Sequence, residues 1–139
     1  MPSLIKKVLA IDPGSRRVGV AVSDPGGTVA LPLTVLETSE PLDQLVQLIQ
    51  EQSASEVVVG LPISLDGTEG PAASSVRELA SELSNRVEVP VRLVDERLTT
   101  AAAGKALSEL DMSERRRRKV VDKVAATLLL QSYLDSRAG

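Results

Sequence analysis

Apolar and polar positions change rhythm along the chain, and the changes mark its elements. Lys7-Val8-Leu9-Ala10-Ile11 is a short β-rich run that stops at the turn sequence Asp12-Pro13-Gly14-Ser15. Val18-Gly19-Val20-Ala21-Val22 is a second run, closed by Asp24-Pro25-Gly26-Gly27. Val29 to Leu36 reads as a third; Pro32 inside it predicts an edge position or a bulge, because proline brings no N–H to a strand ladder. Three strands joined by tight turns predict an antiparallel meander. The period then shifts. Leu42, Leu45, Val46, Leu48 and Ile49 fit one face of a helix that begins after Pro41. Glu56-Val57-Val58-Val59-Gly60 is almost wholly apolar, as in a strand covered on both faces. A glycine-containing loop from Leu61 precedes a helix over about Ala72–Asn85, Val89–Val94 is a fifth strand, and Thr99–Leu110 and Ser113–Ser136 follow as helices.

The order β-β-β-α-β-α-β-α-α predicts an α/β fold: a five-stranded mixed sheet, three antiparallel strands then two parallel, flanked by helices. In such sheets, sites gather beyond the carboxyl ends of the parallel strands. With 139 residues and no linker, repeat or low-complexity tract, a single domain over residues 1–139 is expected. No apolar run approaches the ~18 residues of a membrane span, and Met1–Lys7 lacks the apolar stretch of a signal peptide. No membrane association and a cytoplasmic location are therefore expected.

Composition narrows the chemistry. The chain has 0 His and 0 Cys, which excludes thiolate or imidazole zinc sites, disulfides, cysteine nucleophiles and Ser-His-Asp triads. Any catalysis must use carboxylates, Lys, Arg, hydroxyls, backbone amides or a metal held by oxygen. Tyr133 is the single aromatic residue, which argues against base-stacking platforms. Net charge is −3, so a nucleic-acid partner would be met by local basic clusters.

Three carboxylate positions stand out. Asp12 ends the first strand, within an Asp-Pro-Gly sequence that is also a common turn. Asp95-Glu96-Arg97 follows the fifth strand and reads equally as a loop with a local ion pair. Asp122 shares a helical face with Ala125, Ala126, Leu129 and Tyr133. A carboxylate centred on an apolar face must be paired, with one of the many arginines for instance, or bind a cation. Chain-distant carboxylates that meet at one edge of a sheet suit a hard divalent cation, Mg²⁺ or Mn²⁺. Two such ions ~4 Å apart can activate water and stabilise the leaving oxygen in phosphodiester hydrolysis.

These residues resemble the YqgF (RuvX) family. The stretch Ile11–Asp24 looks like its opening motif. Val59-Gly60-Leu61-Pro62 with Asp66-Gly67-Thr68-Glu69-Gly70, then Asp95-Glu96-Arg97-Leu98-Thr99-Thr100, then Val121-Asp122 with Ala125-Ala126, match its remaining motifs in order over nearly the whole chain. The resemblance implies a ribonuclease H-like fold related to the junction resolvase RuvC. It also implies a metal-dependent nuclease whose catalytic carboxylate ligands are Asp12, Glu96 and Asp122. Family members are described as nucleases that process the 5′ end of pre-16S ribosomal RNA, or as Holliday-junction resolvases. Neighbours along a strand face opposite sides, so only one of Asp95 and Glu96 faces the site; Glu96 is assigned, with Asp95 as the alternative.

The basic clusters fit a polyanionic partner, structured RNA or branched DNA. Arg115-Arg116-Arg117-Arg118-Lys119 opens the last helix, where cations oppose the macrodipole at roughly a few tenths of a kcal/mol each, so helix preference does not explain them. Arg16 and Arg17 follow Asp12 closely and are placed to hold phosphate, and Arg97 to hold phosphate or clamp a carboxylate ligand. The loop after Leu61 matches no nucleotide-binding motif and is read as a substrate-side loop. A junction resolvase makes two symmetric cuts, for which a homodimer is the natural assembly. Two other classes compete: a non-catalytic nucleic-acid-binding protein that keeps the fold, and an actin-like phosphotransferase, for which the chain is too short.

Overall fold

Where short apolar runs stop at turn residues the chain extends, and where apolar positions recur every three or four residues it coils. The computed structural model describes residues 6–96 and 114–138, with side chains over 6–96 and 124–137. The strands are β1 (Val8–Pro13), β2 (Val18–Ser23), β3 (Ala30–Leu36), β4 (Glu56–Leu61) and β5 (Val91–Asp95). The helices are α1 (Leu42–Glu51), α2 (Pro71–Arg86) and α3 (Glu114–Ala138). The helix expected over Thr99–Leu110 lies outside the described residues, as does Ser113.

The sheet order is β3-β2-β1-β4-β5. The meander pairs antiparallel, Asp12 opposite Gly19 and Val18 opposite Leu36, while β1–β4 and β4–β5 pair parallel. This is the expected mixed sheet, three antiparallel strands and two parallel. The expectation at Pro32 also holds, on both counts. β3 is an edge strand, and its pairing with β2 slips between Val20 and Ala21, leaving Leu33 as the extra residue beside Pro32.

Alternation along the strands sorts side chains onto two faces. Leu9, Ile11, Val57 and Val59 pack with Leu45 and Ile49 of α1 and Val76 and Leu83 of α2. Val8, Ala10, Ala21 and Val58 pack with Ala126, Leu130 and Leu134 of α3. β1 and β4 are thus buried on both sides, which is why they read as unbroken apolar runs. Small side chains on the second face, Ala10 and Ala21, let α3 lie close to the sheet.

Two anchors fix α3. Gln131 accepts the Ala30 N–H at 2.9 Å and donates to the Thr28 carbonyl at 3.1 Å, tying the helix to the lead-in of β3. Tyr133 donates its hydroxyl to Glu56 at the start of β4, and Arg137 and Arg92 converge on the same carboxylate. Burial, and then the hydrogen bond to Glu56, raise the Tyr133 phenol above its ordinary pKa.

Candidate metal and nucleic-acid site

Three parallel strands end together, and the residues at their ends define the site. Val8 and Ala10 face α3, so alternation puts Asp12 on that face at the end of β1. It is half-buried. Its partner across β2 is Gly19, and on the other side Ile11 pairs with Val59, one residue before Gly60. A strand-end carboxylate flanked by glycine on both neighbours meets no side chain from those two positions, which leaves room for groups from other elements.

Glu96 reaches the same space from β5. Leu61 pairs with Asp95, and the Glu96 N–H donates to the Leu61 carbonyl at 3.3 Å, extending the ladder one residue. Val94 faces α3, so Glu96 does too, while Asp95 is turned to the other side and exposed. The Glu96 side chain lies over Gly60. A Cβ placed there would come 2.6 Å from Glu96 Oε2 and 3.0 Å from Leu129 of α3. Oε2 itself is buried beneath the helix. Glu96, the residue assigned ahead of Asp95, is therefore the one on the face it shares with Asp12.

Asp122 lies in α3, seven residues or two turns before Leu129, but its side chain is outside the described residues. Among the described residues no group of three carboxylates is arranged to hold a metal. Two of the expected ligands are thus brought to one face, and the third is on the helix that covers it. The donors fit a hard divalent cation: carboxylate oxygens only, one of them buried over the glycine at position 60.

Arg16 and Arg17 sit on the tight turn after β1. The Gly14 N–H donates to the Arg17 carbonyl at 2.9 Å, and a Cβ at Gly14 would meet that carbonyl at 2.6 Å, so the turn requires glycine. Arg16 is exposed and Arg17 half-buried. Arg97 lies outside the described residues; Arg115, Arg116, Arg117, Arg118 and Lys119 form the first turns of α3, their side chains also outside the described residues. The loop after β4 is a hydrogen-bonded turn. Thr68 donates to Asp66 from its amide at 2.9 Å and from its hydroxyl at 2.6 Å, which lowers the Asp66 pKa. Leu65 projects from it, 93% exposed.

Gly60 was not among the expected site residues, although it stands in the Val59–Pro62 motif. Its signal was a glycine closing an apolar strand, which marks close approach by another group. The Tyr133–Glu56 anchor carries no such signal, because its partners are 77 residues apart.

A family model described as RuvX, Holliday junction resolvase, matches residues 6–136. A Frankia casuarinae protein named "Putative pre-16S rRNA nuclease" is 49% identical over 136 residues, spanning 94% of this chain and 67% of its own. A Moorella thermoacetica protein of the same name is 46% identical over 132 residues, spanning 93% and 94%. Among solved structures, Thermus thermophilus RuvC in complex with a Holliday junction substrate superposes with a TM-score of 0.58 at 18% identity, covering 96% of each chain. That likeness establishes a ribonuclease H-like fold of the RuvC kind. On the family match and the identity to its members, this chain belongs to the RuvX family.

Proposed function

We propose that the chain is a divalent-metal-dependent nuclease that hydrolyses phosphodiester bonds in pre-16S ribosomal RNA, using Mg²⁺ or Mn²⁺. The observation that carries this reading is the convergence of Asp12 and Glu96 on one sheet face around Gly60, under the helix that bears Asp122. Bound divalent cations would supply an activated water and charge neutralisation at the leaving oxygen. The chain's part is to hold and orient. Asp12, Glu96 and Asp122 are the proposed ligands, and α3 over the Glu96 carboxylate keeps bulk water from Oε2. Arg16 and Arg17 are positioned to hold the scissile phosphate, with Arg97 and the Arg115–Lys119 run holding flanking phosphates. In the reaction the water oxygen forms a bond to phosphorus as the bond to the bridging oxygen breaks, and the departing oxygen takes up a proton.

The RNA substrate rests on the names of the relatives. The family description and the RuvC likeness favour a second reading, cleavage of four-way DNA junctions by a homodimer. One nuclease domain over residues 1–139, acting in the cytoplasm where pre-ribosomal RNA is processed, suffices for the first. A matched panel of pre-16S RNA, four-way junctions and linear duplexes, each with Mg²⁺, Mn²⁺ or chelator, separates the two. Metal-dependent cleavage of the RNA alone is expected. Junction cleavage in symmetric pairs selects the second reading, and cleavage undiminished in excess chelator removes both.

A further inference from the structure

A cleft of about 620 Å³ opens between α1 and α2, floored by side chains of the sheet face that these helices cover, and it reaches the Pro13-Gly14-Ser15 turn at the end of β1. Its floor is apolar, built from Val18, Pro41, Leu42, Val76 and Leu79. Its rim carries Glu40, Asp43, Glu78 and Glu82, and among the described residues no Lys or Arg lines it. Asp43 meets Arg86 at 3.1 Å across an exposed contact; among the described residues no ion pair engages Glu40, Glu78 or Glu82. Glu78 and Glu82 are an i, i+4 pair of like charge on α2, an arrangement that weakens a helix.

We propose that the cleft receives a basic, leucine-anchored segment of a protein partner. The apolar floor takes the anchor and the stems of lysine or arginine, while their charged heads reach the rim. Glu78 and Glu82 stand ~6 Å apart along α2, the separation of lysines at i and i+4 of a docked helix or at alternate positions of a strand. This goes beyond the nuclease reading and does not depend on it.

The test is binding of a labelled synthetic amphipathic peptide, with lysines at i and i+4 flanking leucine, followed by fluorescence anisotropy and by amide chemical shifts of the full chain. Saturable binding that moves α1 and α2 amides is expected, unchanged in Asp12→Asn. The paired substitution Glu78→Gln and Glu82→Gln should weaken it about tenfold at low salt. Both positions are exposed, and losing their repulsion does not endanger folding. No binding, equal affinity in the paired variant, or equal affinity for a peptide with serine in place of leucine overturns the proposal. So does displacement by spermidine at equivalent charge, which would make the cleft a polyamine site.

Discussion

Gly60→Ala is the sharpest single perturbation of the candidate site, because its geometry is already fixed. The added Cβ would lie 2.6 Å from Glu96 Oε2, where ordinary contact begins at 3.4 Å, so the carboxylate must retreat by about 0.8 Å. Leu129, at 3.0 Å, blocks one direction of escape. Overpacking of this kind costs about 1–3 kcal/mol. The cost here falls near the lower end, since Oε2 is the tip of a flexible side chain, and reduced freedom of the unfolded chain returns about 0.4–1 kcal/mol. A net loss near ~1 kcal/mol lowers Tm by roughly 3–5 °C. Function should suffer more than the fold. A displacement approaching 1 Å at a ligand costs up to about 10²-fold in turnover. Cleavage assays, Mn²⁺ titrations and melting curves on Gly60→Ala should therefore show a large catalytic loss on a folded protein. Gly70→Ala, where no atom lies within 4 Å of the new Cβ, is the control for crowding: it should leave cleavage and metal response intact and cost only the weaker N-cap that alanine gives α2. Undiminished cleavage and metal response in Gly60→Ala would refute the placement of Glu96 at the site.

Asp12→Asn and Glu96→Gln should abolish cleavage while nucleic acid still binds in a filter assay, whereas Asp95→Asn, exposed on the other face, should be nearly silent; the reverse pattern for residues 95 and 96 would reassign the ligand. Millimolar Mg²⁺ or Mn²⁺ should raise Tm by mass action, and by less in Asp122→Asn, as a thermal-shift titration would show. Replacing Arg115, Arg116, Arg117 and Arg118 by Gln should flatten the dependence of log K on log salt by about 0.7–0.9 for each phosphate no longer neutralised; an unchanged slope returns the run to a solvated face. The raised Tyr133 pKa gives stability that is complete below the unfolded value near 10 and is lost as pH rises through the folded value. Tyr133 is the chain's single tyrosine, so its ionisation can be followed by near-ultraviolet absorbance, and Tyr133→Phe should remove this alkaline loss.

The meander was legible because alternation and Asp-Pro-Gly turns are local signals, and Pro32 announced both the edge and the bulge. The start of β5 was not. Val89 looked like strand, but Pro90 contributes only its carbonyl, to the Val57 N–H at 2.9 Å, and regular pairing begins at Val91. The choice between Asp95 and Glu96 was half legible. Alternation says that one faces the site, but only the register of β5 on β4 says which. The Glu56 cluster and the acidic cleft arise where α3 meets β4 and where α1 meets α2, and neither meeting leaves a pattern in any single stretch of chain.

The sheet order has a consequence for how the protein comes into being. β1, β2 and β3 can pair as soon as they are made, since each neighbour is next in sequence. β1 meets β4 only after the α1 crossover, and Glu96 follows Asp12 by 84 residues. α3, which closes the face over both, is last in the order of elements. Such long-range closures are the slow events of folding. A nascent or half-folded chain therefore presents a meander with one of the three proposed ligands, and the proposed cutting centre is assembled only when the final helix docks.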